Sequence, residues 1–245
     1  MSIQHMPAQR VRQIGGAFLL LAGALILMGI ITAEALRPPG YSTARNDISD
    51  LGVAIQPSAI LFNVMMVVSS ILILVGAYGV YRAYRSRAVS IPLALLGVGV
   101  LGVGLFPGYP GNVAHPWVAL LAFIAGGATA LLAVKITTAP FRVISLVLGT
   151  IALLSLVLTE AHALSVPLGL GGAERWIVYP TVLWLVGFGG YMLGHQPDNA
   201  STAMRFATDA TEPHEEVQQH HQQDQQLPKS ADAAPRPVGA LGQRS

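Results

Sequence analysis

Residues able to do chemistry are few in this chain, and they fall in short polar stretches between long apolar runs. The densest is GYSTARNDISDLG, residues 40–52, which holds Tyr41, Ser42, Asn46, Asp47, Ser49 and Asp50. Asp50 directly precedes a run of 31 residues, 51–81, without a charge. Elsewhere stand Glu34, Asn63, His115 after GLFPGYPGNVA, Glu160 with His162, and Glu174 and Arg175 followed by Tyr179. A carboxylate and an imidazole can exchange protons near neutral pH, which makes Asp50, His115, Glu174 and Arg175 the catalytic candidates. Arg175 would bind an anionic group or pair with Asp50.

A second chemistry uses the same residues. Asp50, His115 and His162 are two imidazoles and a carboxylate, a set able to hold a divalent metal with an open position. Glu160 would then be a further ligand or a general base for metal-bound water. The spacing does not enforce this, since there is no HExxH and positions 160 and 162 lie about 200° apart on an ideal helix. Structural readings stand beside the functional ones. Asn46, Asp47 or Ser49 would cap exposed N–H groups, and Gly52 would permit a turn. Glu174 suits a helix N-terminus electrostatically and Arg175 does not. His115 and His162 could serve only as interfacial hydrogen-bonding groups. The chain carries no Walker A loop, no GxSxG elbow and no dinucleotide fingerprint after a strand. Ser42 would be a nucleophile only with a base close by.

The elements that must position these residues are membrane helices. The chain has 245 residues, 53% hydrophobic and 11% charged, with no cysteine, whereas soluble domains carry about 25% charged residues. A span needs about 20 mostly apolar residues. Six segments qualify: 14–33, a stretch from about 58 within 51–81, one within 88–114, then 117–134, 143–159 and 176–194. The first has arginines ahead and AEA after it, as a signal peptide would, but its apolar run exceeds the 7–15 residues of a signal core. Gly104–Gly108 and Gly190–Gly194 have the GxxxG spacing that brings membrane helices together. Scattered arginines rather than a basic stripe argue against nucleic acid, and the absence of cysteine excludes disulfides.

Orientation follows from Lys and Arg in short loops. Arg10, Arg12, Arg82, Arg85, Arg87, Lys135 and Arg142 fall on one side, and Arg37, Arg45 and Arg175 on the other. Both termini are therefore expected in the cytoplasm, with loops 37–57, 108–116 and 164–175 outside. The polar residues of the body converge on that outer face, and ionisable groups at membrane depth tend to mark function. The Gln- and His-rich segment 195–245 lacks apolar content and is expected to be a disordered tail.

These residues also carry a family resemblance. YSTARNDISDLG (41–52), Asn63, GLFPG with His115 (104–115) and GGAERWIVY (171–179) resemble the family called domain of unknown function 998, six-span membrane proteins of bacteria and archaea. The resemblance covers roughly residues 13–194. Family members often carry an acidic residue soon after the F-P pair, where this chain has Gly108 and Tyr109. It implies a fold and topology without a reaction, and points to Ser49, Asp50, Gly52, His115, Glu174 and Arg175.

The expectation is thus an all-α polytopic membrane protein. A cytoplasmic segment 1–13 leads into a six-helix bundle 14–194 and a tail 195–245, in the cell membrane. Three functions fit: a membrane-embedded enzyme acting on a lipid or isoprenoid head group at the outer face, a small transporter, or a non-catalytic assembly partner. The partners are the bilayer and a lipid or small-molecule ligand at the outer face.

Overall fold

The computed structural model describes residues 8–36, 40–109 and 111–194. The expected tail and Arg37 lie outside the described residues. Six helices are long and apolar enough to cross a membrane, and no strand occurs among the described residues. They are α1 (Ala8–Ala35), α2 (Ala59–Tyr84), α3 (Arg87–Leu105), α4 (His115–Leu132), α5 (Phe141–Glu160) and α6 (Leu170–Gly194). A 3-10 turn, Ile48–Gly52, precedes α2, and a single helical turn, Ser165–Leu168, precedes α6. The protein is a multi-pass membrane bundle, as its composition requires.

Two helices differ from the apolar runs that announce them. At about 1.5 Å per residue, the 28 residues of α1 span about 42 Å, longer than a hydrocarbon core of about 30 Å. Arg12 and Glu34 ride on its ends. Helix α6 begins six residues before the expected start at 176, so Glu174 and Arg175 lie within it rather than ahead of it. Both side chains find partners in the 40–50 loop, which is what allows a membrane helix to carry them.

Each helix packs on the next in sequence, and α6 returns to α1, closing a ring. Close approach at glycines sets the tightest crossings. A Cβ on Gly79 of α2 would stand 2.7 Å from the Cα of Gly15 on α1, and one on Gly189 of α6 would stand 2.5 Å from the carbonyl oxygen of Gly16. Without a hydrophobic force between helices in lipid, such backbone proximity is the main source of packing energy. The GxxxG spacings do not mark the crossings of α6: Gly190 and Gly194 face open space, while Gly189 does the packing. Near the end of the bundle that carries Ala8 and Gly194, Phe141, Trp184, Phe188 and Tyr191 stack between α5 and α6. The buried Trp184 Nε1 there donates to Ser145 Oγ at 3.0 Å.

Candidate functional site

The loop 40–52 is bound to α6 through backbone groups first. The N–H groups of Gly171 and Gly172, in the first turn of α6 where no intrahelical partner exists, donate to the carbonyl of Ala44 at 3.1 and 3.4 Å. This approach demands glycine, because a Cβ on Gly171 would lie 1.9 Å from the carbonyl oxygen of Asn46. Arg175, one turn on, then binds the whole loop. Its Nε and Nη2 donate to Glu34 Oε1 at 3.2 and 2.5 Å. Nη2 also donates to the Tyr41 hydroxyl at 2.8 Å. Nη1 donates to the carbonyls of Thr43, Asn46 and Gly171 at 2.8, 3.3 and 2.7 Å. Arginine has five N–H groups, so every donor is engaged by the chain itself. Arg175 pairs with Glu34 rather than Asp50, and has no free edge for an anion. Burial pushes the Tyr41 phenol up against the opposing pull of Arg175, which keeps its O–H in place.

The polar run shapes itself differently from a simple helix cap. Asp47 occupies the N-cap position of the 3-10 turn but makes no side-chain cap bond. The first N–H of that turn, on Ile48, instead donates to Glu174 Oε2 from α6. Asn46 works in both directions: its Oδ1 accepts from the backbone N–H of Ser42 at 3.0 Å, and its Nδ2 donates to Asp50 Oδ2 at 3.1 Å. Buried Ile48 and Leu51 anchor the turn in the core. Gly52 does not supply a positive φ. It admits Asn63, whose Nδ2 donates to the Gly52 carbonyl at 2.8 Å, where a Cβ would meet Asn63 Oδ1 at 2.4 Å.

Beside this scaffold lies a pocket of about 340 Å³, lined by Asp47, Ser49, Asp50, His115, Glu160 and Glu174 among others. The His115 Nδ1 meets the Phe106 carbonyl at 2.8 Å. A carbonyl only accepts, so Nδ1 carries the proton and Nε2 is left as a base. Gly108 sits between that nitrogen and Ser49: His115 Nε2 and Ser49 Oγ are each 3.1 Å from where its Cβ would be. Burial, and next the neighbouring Asp50, raise the Asp47 carboxyl above its ordinary range.

The pocket shares a wall with an inner cavity. Ser49, His115, Ala119, Phe123, Glu174 and Ile177 also line a cavity of about 80 Å³ at the centre of the ring. Its remaining walls are apolar side chains of α1, α2, α3, α4, α6 and the 3-10 turn together with the Thr181 hydroxyl side chain, with α5 packed outside between α4 and α6.

Of the residues expected from the sequence, Asp50, His115 and Glu174 converge on one pocket, while Arg175 faces away into the clamp with Glu34. His162 is exposed, sits at φ 59 in the turn after α5, and does not line the pocket. No three His, Asp or Glu side chains among the described residues are grouped so as to hold a metal. Sequence reasoning missed the partnership of Glu34 with Arg175. The available signal was that Glu34 is the only acidic residue before Asp47.

No curated protein and no solved structure matches this chain. One family model does, over residues 20–191, which takes in four helices whole, part of α1, most of α6 and every residue of the pocket and clamp. The chain belongs to the family described as protein of unknown function (DUF998).

Proposed function

We propose that this protein is a membrane-embedded enzyme acting on the head group of a lipid or isoprenoid, at the face of the bundle carrying loop 40–58. By the distribution of Lys and Arg that face is the outer one, with both termini in the cytoplasm. The observation that carries the reading is a pocket lined by acid and base groups that shares Ser49, His115 and Glu174 with a mostly apolar cavity in the bundle. An amphiphile fits that arrangement, with its chain inward and its head against Asp50 and His115.

His115 Nε2 is the base, held in one tautomer by the Phe106 carbonyl. Asp50, oriented by the Asn46 amide, is the partner that accepts or returns a proton. Glu174 and Arg175 are positioning residues: the first holds the turn bearing Ser49 and Asp50, and the second holds the loop before it. Since Arg175 is saturated, head-group recognition in this reading falls to Ser49, Asp50 and His115.

The test is complementation of a deletion strain read by lipid profiling. A lipid that accumulates in the null should return to its normal level with the wild-type gene. It should stay high with Asp50→Asn or His115→Ala at equal protein abundance. Normal profiles with both variants would remove the enzyme reading.

A further inference from the structure

At the opposite end of the bundle, Arg12 is only 6% exposed, yet its Nε and Nη2 are buried without a hydrogen-bond partner. The other basic residues of that end, Arg10, Arg85, Arg87, Lys135 and Arg142, are exposed, apart from half-buried Arg82, whose Nη1 donates to Tyr78. A buried guanidinium with orphaned donors is strongly unfavourable unless an acceptor arrives from elsewhere. The two orphaned nitrogens form one side of the guanidinium, the fork that receives two oxygens of a phosphate or carboxylate at once. The Tyr84 hydroxyl is also buried and without a partner. It lies close enough to Arg12 and Tyr191 to interact electrostatically with both. Three buried donors from α1 and α2 are thus left without an acceptor near one another.

We propose that Arg12 and Tyr84 form a phosphate-binding site for an anionic phospholipid at the end of the bundle bearing Ala8 and Gly194. The location favours this ligand. Arg12 lies in the second turn of α1 and Tyr84 at the last residue of α2, so both sit near the ends of apolar helices of span length. The surrounding exposed cations draw anionic lipid to that surface, and basic pockets between membrane helices are recognised head-group sites. The site is separate from the Asp50–His115 pocket and serves to seat the bundle in its leaflet.

Native mass spectrometry of the purified full-length protein tests this, with titrations of phosphatidylglycerol, diacylglycerol and inorganic phosphate. Phosphatidylglycerol should bind the wild type about tenfold more tightly than diacylglycerol. That margin should disappear in Arg12→Gln and also in Arg12→Lys, which keeps the charge but loses the fork. Tyr84→Phe, a mild change that keeps the core filled, should weaken phosphatidylglycerol about threefold and so reads the site even where Arg12 variants fail to fold. If inorganic phosphate alone binds in an Arg12-dependent way, the phosphate chemistry stands and the lipid source is overturned. Equal binding of phosphatidylglycerol and diacylglycerol, or wild-type affinity in Tyr84→Phe and the Arg12 variants, overturns the site.

Discussion

Two polar clusters share one end of this bundle and differ in how completely their bonds are made. In the clamp, Arg175 directs every N–H to Glu34, Tyr41 or a backbone carbonyl of the loop or of α6. Its side chain and that of Glu34 are 11% and 17% exposed. In the pocket beside it, His115 uses one ring nitrogen and leaves the other open, and Asp50 receives a single amide N–H. A saturated, enclosed cluster is scaffold, because any ligand would have to displace bonds already formed. A cluster with bonding capacity left over, facing a cavity, is where chemistry can occur. Both hold charged residues near a membrane surface, and only the geometry of their bonds separates them.

Breaking the clamp should have the largest effect. Arg175→Met leaves Glu34 enclosed without its partner, a loss of about 3 kcal/mol by analogy with broken buried pairs, read as a lowered melting temperature in detergent. Adding Glu34→Gln should recover part of that loss, because the two side chains act as a pair. Gly171→Ala should follow, at about 1–3 kcal/mol, since its Cβ would drive the loop off α6.

The smallest effect concerns Asp47, which lines the pocket but has a raised pKa from burial and from Asp50. A carboxyl whose pKa is higher when folded stabilises the fold at low pH and loses that contribution as pH rises through the folded value. Asp47→Asn should therefore stabilise the protein slightly at pH 7, by up to about 0.5 kcal/mol. The gain should vanish as the pH falls below the ordinary value of 3.8. Melting curves across pH check the sign; a destabilised variant at pH 7 would mean that Asp47 ionised contributes to the loop.

Much of the fold was readable because lipid imposes a simple rule. Six uncharged runs of span length give six helices. The site was readable only as a convergence of residues on one face. Sequence placed Asp50 and His115 at the same membrane end, and they do line one pocket. It could not separate Arg175 from them, because the choice between Asp50 and Glu34 depends on how the loop folds back over α6. That path rests on a glycine close approach at Gly171 and on backbone carbonyls, and neither leaves a side-chain signature. The two unsatisfied nitrogens of Arg12 were likewise invisible. In the sequence that residue is one more basic residue ahead of a span, and only its burial distinguishes it from Arg10.

The distinction between scaffold and reactive cluster is tested most directly by Asp50→Asn, which removes a charge while keeping shape and the bond from Asn46 within reach. The measurement is the lipid profile of a deletion strain carrying this variant at wild-type abundance and melting temperature. A folded protein with the null lipid profile is the expected result. A folded protein with the wild-type profile would contradict it, and would return Asp50 to the scaffold with Arg175.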